Sequence, residues 1–522
     1  MPRTYLTTPI YYVNDRPHIG HAYTSLATDV LARWKRLEGH DVFFLTGTDE
    51  HGQKVEKAAR DAGMEPQAFT DQVSGHFSEL VARLGLSNDA FIRTTEDRHK
   101  LACQALWREL ARRGETVDGE FRPWIYLGHY EGWYAVRDES FYGADELTER
   151  DGVRQAPSGA PVEWVREPSY FFRLSAWRDE LLRRFHLPEG DADRIEIAPA
   201  TRRNEVISFV NAGLQDLSIS RTSFTWGVPV PDDPAHVMYV WLDALTNYIT
   251  AVGYPDPHAE RWKFWPADVH FVGKDILRFH AIYWPAFLMA AGIAPPKRIF
   301  AHGWWTIEGQ KMSKSLGNAI DPLALIEEYG LDPLRYFLLR EVPFGQDGDF
   351  QKQALVARLN GELADGLGNL AQRTLALIQR NCDGRLPAVA SRTAADAEFF
   401  EPVDEIVSIV RRSLDAQLFH TALESVFLAV RAANGYITHQ QPWALKKTDP
   451  ARMQVVLRHL HTALRCFATV LHPFMPGTMG LMLDQLGVPA EARKLTDLGT
   501  PLPEGTALPP PAPLFRKIEP AA

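Results

Sequence analysis

At 522 residues the chain is too long for one ordinary hydrophobic core, and roughly two to four domains are expected. Its 45% hydrophobic and 11% aromatic content excludes a disordered polymer, and no apolar run reaches the ~20 residues needed to span a bilayer. A net charge of −10 excludes an indiscriminate nucleic-acid binder, though not one with a local basic face.

Cys103, Cys382 and Cys466 are far apart, so they form neither a disulfide framework nor a C-x-x-C metal motif. Three free thiols suit a reducing compartment. The chain opens directly on a strand-like run without a signal or transit segment, so a cytoplasmic location is expected.

Residues 5–13 read as an extended run. Pro17-His18-Ile19-Gly20-His21 then opens a periodic segment in which Tyr23, Leu26, Ala27, Val30, Leu31, Trp34 and Leu37 recur at helical spacing, until Gly39 stops it. Two histidines therefore sit where a strand hands over to a helix. The free N–H groups and dipole of such an end attract phosphate, and Gly20 lets a ligand approach the backbone. Taken alone, these letters could equally be a turn with two solvated histidines.

Residues 41–47 form a second short strand ending in Thr46-Gly47-Thr48-Asp49-Glu50-His51-Gly52. Strand, helix, strand and polar loop in this order read as a nucleotide-binding α/β unit, with functional residues at strand carboxyl ends. Asp49 is either functional or the N-cap of a helix starting near Gly52. Helical patterns follow at 65–84 and 96–114. Residues 116–124 are a short polar and aromatic stretch, and 115–235 have mixed strand and turn character. The segment 148–168 contains no cysteine, which excludes a Cys-rich zinc site there.

Alternation resumes at 237–242 and 269–272, each followed by a helix-like segment. The second carries Ile276, Phe279, His280, Tyr283, Trp284 and Phe287 on one face, where a histidine can be core or ligand-binding. Downstream, Lys311-Met312-Ser313-Lys314-Ser315 places two mobile ammonium groups among small hydroxyl residues, able to close over a polyphosphate or to stay solvated. Asp332-Pro333-Leu334 starts another helix. Amphipathic runs near 353–381, 402–416, 419–439 and 452–471 read as an antiparallel bundle. From Pro501 the chain is rich in Pro and Ala and is expected to be extended or mobile.

In this order, His18-Ile19-Gly20-His21 and Lys311-Met312-Ser313-Lys314-Ser315 resemble the two signatures of class I aminoacyl-tRNA synthetases. Gly47-Thr48-Asp49-Glu50-His51-Gly52, and Gly273-Lys274-Asp275-Ile276 with His280, resemble methionyl-tRNA synthetases in particular. The resemblance covers nearly the whole chain apart from the tail and residues 116–124, which against the family pattern look like a small surface-loop insertion. It implies an α/β fold: a Rossmann-like parallel-sheet catalytic domain in two halves, 1–114 and 236–318, the second carrying the lysine loop. A connective insertion at 115–235, a stem-contact linker at 319–352 and an all-α anticodon-binding helical bundle with its Pro-rich tail at 353–522 complete it.

The implied activity is a methionine–tRNA ligase. L-Methionine attacks the α-phosphate of ATP to give methionyl-adenylate and pyrophosphate, and methionyl then passes to the 3′-terminal adenosine of tRNA. A small-molecule nucleotidyltransferase of the same fold and a non-catalytic tRNA-binding module are the alternatives. The helical bundle speaks against the first and two intact signatures against the second.

Adenylation needs positioning and charge stabilisation more than proton transfer, which suits histidines and lysines. By resemblance, His18, Gly20 and His21 meet the phosphates. Lys314 and Lys311, with Met312 between them, hold the leaving pyrophosphate. Asp275 takes the ribose hydroxyls, Gly273 leaves room for the nucleoside, and His302 is a further nucleotide candidate. The same resemblance assigns methionine to walls of Tyr12, Trp241, Tyr248 and Trp284, with Ile10, Ile276 and His280 beside them. Asp49 would face the substrate ammonium and Arg221 orient the assembly.

In the bundle, Asn369 and Arg373 share a helix face and Trp443 sits at a break, matching the family's anticodon-reading positions. Implied partners are ATP with Mg²⁺, L-methionine, and initiator and elongator methionine tRNAs. No structural zinc or other metal and no membrane are expected, and a monomer is favoured.

Overall fold

The computed structural model describes residues 1–13, 16–138, 140–144, 146–150, 152–307, 309–311 and 320–519. The chain divides into two compact units, one formed by Pro2–Pro17 and Asp41–His302, the other by Met1, His18–His40 and Gly303 onward. No helix among the described residues is long and apolar enough to cross a membrane.

The first unit is built on a parallel sheet of seven strands: β1 (Arg3–Thr7), β2 (Tyr11–Tyr12), β3 (Asp41–Asp49), β4 (Ala90–Arg93), β5 (Glu196–Ala198), β6 (Val269–Gly273) and β7 (Arg298–His302). Val42, Phe43, Phe44 and Leu45 in β3 are buried in succession, as expected of a strand covered on both faces. The strand order is β5-β7-β6-β1-β3, and β3 also pairs with β4 over Leu45–Thr48 and with β2 at Thr48 and Asp49. From β1 the chain builds outward to one side through β3 and β4. It later returns to the other side through β6 and β7. The order therefore reverses between β1 and β6, and a crevice opens at the carboxyl ends of such neighbours. Ile10 and Asp275 follow those ends, Gly273 ends β6, Asp49 ends β3, and His302 ends β7 opposite Gly273.

Residues 116–124, expected to be a loop insertion, are largely a β-hairpin in which Gly114–Val117 pairs with Glu120–Pro123. Asp118 and Gly119 both take positive φ, 51° and 83°, the backbone that a two-residue Asp-Gly hairpin turn requires. The connective region then adds a long antiparallel ladder between Ile125–Ala135 and Glu163–Phe172.

In the second unit, helix α1 (Ile19–Leu37) packs with helix α2 (Leu331–Arg340). Asp29 and Arg335 are fully buried between them, 2.6 Å apart, and Arg335 also donates to the carbonyls of Phe474 and Pro473. A three-stranded sheet, Gln310–Lys311 against Trp305–Ile307 against Gly348–Phe350, leads into the lysine loop. The expected helical run at 353–381 is three pieces: α-helix Lys352–Arg358, a π-helical stretch Leu359–Gly368 and α-helix Asn369–Asn381.

One expectation for this unit needs correction. The helix placed at 402–416 spans Ala394–Asp415 with Pro402 inside it. Its start is fixed upstream by a reciprocal cap between Thr393 and Asp396. Asp396 is held besides by both guanidinium nitrogens of Arg452 and by the Tyr436 hydroxyl. The Pro/Ala-rich tail, expected to be extended or mobile, has no helix in its described residues and is strapped along the helices of this unit. Arg458 donates to Leu502 O, Gln485 and Ala512 bond reciprocally, and Asn360 and Ile518 do the same. These anchors are backbone carbonyls and amides, which leave no mark on side-chain composition.

Candidate active site and anticodon-reading face

In the first unit the helix Val240–Thr250, the π-helical turn Phe279–Tyr283 and the helix Trp284–Ala290 carry most of the proposed methionine walls. π-Turns recur at functional sites because one extra residue per turn re-aims side chains. Here the turn presents His280, whose Nδ1 lies 2.9 Å from the Ile276 carbonyl. A carbonyl only accepts, so Nδ1 carries the proton and Nε2 is the acceptor. The Tyr248 hydroxyl, 2.7 Å away, therefore donates to Nε2. Burial, only partly offset by the Ile276 carbonyl and Asp275, lowers the His280 pKa to about 4, so the ring is neutral at pH 7.

Around this pair, Tyr248 lies over the His270 ring at 4.2 Å and beside Trp284 at 6.0 Å. Trp284 is fully buried, and its indole Nε1 has no hydrogen-bond partner among the described residues. Trp241 stacks flat on Phe279 with ring centroids 3.5 Å apart. Ile10, Trp241 and Ile276 border the same apolar cluster as Tyr248 and Trp284. Tyr12 instead packs with Tyr11, Val13, Val55, Val73 and Phe77. Arg221 is buried in the connective region, bonded to Ser218 and Ser220 and lying 4.0 Å over Tyr239, the residue that caps the Trp241 helix.

Asp49 is 7% exposed at the end of β3 and does not cap the next helix, whose N-cap is Gly52. A Cβ at Gly273 would meet Asp275 Oδ1 at 2.5 Å, so the missing side chain makes room for that carboxylate. Asp275 itself is exposed.

The neutral state of His280 has a pH consequence. Its pKa of about 4 lies below the ordinary 6.5, so between those values the unfolded chain binds a proton that the folded chain refuses. Stability is thus complete above about pH 6.5 and is lost as pH falls toward 4, by about 3 kcal/mol from this ring. Urea midpoints at pH 7 and pH 5 should show the loss, and His280→Gln should flatten the slope. An unchanged slope in that variant would place the titration elsewhere.

In the second unit His18 is the N-cap of α1. Its Nδ1 accepts from Gly20 N at 3.1 Å, while His21 Nδ1 accepts from His18 N at 3.0 Å. Both rings thereby hold their proton on Nε2, so each keeps a neutral N–H donor beside a helix N-terminus. Burial, and then His18, hold His21 well below its ordinary pKa. Lys311 is placed only as backbone, paired with Thr306, and Met312 and Lys314 lie outside the described residues.

The third group comes together in the helical bundle. Gln441 takes a left-handed conformation (φ 47°) and Pro442 starts the next helix, leaving Trp443 44% exposed. The Arg373 guanidinium lies 5.5 Å over the Trp443 ring, and Asn369 is exposed one turn before it.

Residues 4–375 match the family model described as tRNA synthetases class I (M), and residues 386–522 match the anticodon binding domain of methionyl tRNA ligase. The methionine–tRNA ligase of Brucella suis is 52% identical over 98% of this chain and 97% of its own length. That of Rickettsia bellii is 54% identical over 94% and 93%.

The chain belongs to the methionyl-tRNA synthetases. A Mycobacterium tuberculosis methionyl-tRNA synthetase solved in complex with methionyl-adenylate superposes with a TM-score of 0.93, at 50% identity over 99% of this chain and 100% of that one. An apo form of the same enzyme gives 0.88. The activity is that of a methionine–tRNA ligase, and the parallel α/β sheet with a helical anticodon domain is the fold expected from the sequence.

Proposed function

We propose that the synthetase binds methionine against Tyr248, His280, Trp284 and Trp241, with Ile10, Ile276 and Tyr12 bordering it and Asp49 facing the ammonium. The observation that carries this is the neutral His280–Tyr248 pair. It makes a polar but uncharged wall beside aromatic rings, suited to a polarizable thioether, and each good sulfur–aromatic contact contributes ~0.3–1.5 kcal/mol. Arg221 acts from behind, through Tyr239, on the start of the Trp241 helix.

ATP enters as its Mg²⁺ complex. His18 and His21 donate Nε2–H bonds to the phosphates, with Gly20 allowing close approach. Asp275 takes the ribose hydroxyls beside Gly273, and His302 borders the nucleotide. Lys311 and Lys314, with Met312, hold the leaving pyrophosphate. The M. tuberculosis relative's methionyl-adenylate is the intermediate that this sequence of steps forms. The enzyme acts in the cytoplasm as a monomer without structural zinc, on initiator and elongator methionine tRNAs.

Asn369, Arg373 and Trp443 read the anticodon. Trp443→Ala removes a stacking surface worth ~1–3 kcal/mol per base, so tRNA charging should fall by roughly one to two powers of ten. Methionine-dependent ATP–pyrophosphate exchange without tRNA should stay near normal. If Trp443 is instead a packing residue, exchange, charging and melting temperature will fall together, and one preparation measured all three ways decides.

A further inference from the structure

The Glu50–Gly52 segment that follows Asp49 is tied down by groups that take no part in the chemistry above. The Glu50 carboxylate is fully buried and takes Arg93 Nε at 2.7 Å and Nη2 at 2.9 Å, with the Thr48 and Thr95 hydroxyls. Next to it, His51 Nδ1 lies 2.7 Å from Asp243 Oδ2. The second oxygen of Asp243 lies 2.8 Å from His99 Nε2 on the helix Asp97–Arg112. Asp243 and His99 are fully buried and His51 is 2% exposed. The Trp226 ring meets His51 edge-on at 5.4 Å, its Nε1 donating to Glu50 O and its carbonyl accepting from Gly52 N.

Asp243 lies two residues after Trp241 and five before Tyr248 on the same helix. One carboxylate thus links the loop bearing Asp49 to the helix bearing two walls of the methionine pocket. We propose that Asp243, through His51 and His99, is a positioning residue that fixes Asp49 relative to the Trp241–Tyr248 helix and so sets the affinity for methionine. This rests on the pocket assignment made above.

The cluster also brings Cys103 Sγ to 3.2 Å from His99 Nε2, and His99, Cys103 and Asp243 could together hold a metal ion. A hydrogen-bonded network is the better account. Both carboxylate oxygens already accept from imidazoles, and burial, reinforced by the Asp243 charge, holds the Cys103 thiol well above its ordinary pKa and therefore protonated.

Asp243→Asn keeps the volume but turns one acceptor into an N–H₂ facing a ring N–H. His51→Ala removes the link to the loop, and His51→Asn restores a side-chain amide close to the position of Nδ1. In ATP–pyrophosphate exchange, Asp243→Asn and His51→Ala should each raise KM for methionine about tenfold or more and leave KM for ATP within about twofold. His51→Asn should recover most of the loss.

Trp241→Ala, measured in parallel, separates the two ideas. If it leaves methionine KM unchanged, the pocket assignment fails. If it raises methionine KM while Asp243→Asn and His51→Ala do not, the positioning role fails. Equal rises in both KM values with a lower melting temperature would reduce the network to a structural prop. Stoichiometric zinc in the wild-type enzyme that disappears in Cys103→Ser would replace it with a metal centre.

Discussion

Replacing Lys314 by alanine should slow methionyl-adenylate formation by about two to three powers of ten while methionine KM stays near its wild-type value. The reasoning starts from where charge develops. As the α-phosphate is attacked, negative charge moves onto the departing pyrophosphate, and a positioned ammonium stabilises that charge more in the transition state than in the ground state. Losing one such donor typically costs about 10²–10³ in rate. The residue follows Gln310–Lys311, a short strand anchored on Trp305–Ile307, and lies in a polar stretch, so melting should be unaffected. Pre-steady-state adenylate formation and pyrophosphate exchange measure the effect. A rate within about threefold of wild type would remove Lys314 from the proposed mechanism.

The largest effect on stability is expected from Arg335→Met. The guanidinium is fully buried, 2.6 Å from an equally buried Asp29, and donates to the carbonyls of Phe474 and Pro473 at 2.8 and 3.0 Å. Removing it strands a carboxylate and two acceptors in the interior. Breaking a buried pair in this way costs about 3–5 kcal/mol. Arg33, 2.8 Å from Asp29 but 22% exposed, relieves the carboxylate only in part. Urea unfolding should register the loss as an earlier transition of the unit that contains α1. A change below about 1 kcal/mol would mean that Arg33 suffices as the partner.

Much of this was legible from the sequence because it is local. The two histidines gave away the helix start, and in the structure they cap it. The run through Phe43 and Phe44 reads as a short strand and is one, with successive residues buried. Arg373 and Trp443, named on family resemblance rather than periodicity, lie in contact in the structure. What could not be read depends on partners far away in the chain. Asp243 stood in plain view between Trp241 and Ala244, yet its meaning comes from His51, 192 residues earlier, and His99, 144 earlier. The strapped tail escaped for a different reason: Arg458, Gln485 and Asn360 hold it by its own backbone carbonyls and amides, which nearly every residue has. The periodic run read at 402–416 is only the later part of its helix, because the Thr393–Asp396 cap begins it upstream and Pro402 lies inside it.

The burial of Asp29 against Arg335 bears on how the protein is made. The two residues are 306 positions apart, so at ~5–20 residues per second the ribosome delivers α1 roughly 15–60 s before the arginine that neutralises it. The carbonyls of Pro473 and Phe474, which complete the same cage, emerge later still. Throughout that interval α1 carries an apolar face with Leu26, Val30 and Trp34, and its Asp29 has Arg33, one turn along the same helix, in place of Arg335. A chain stalled before residue 335 therefore lacks the buried pair that joins α1 to α2.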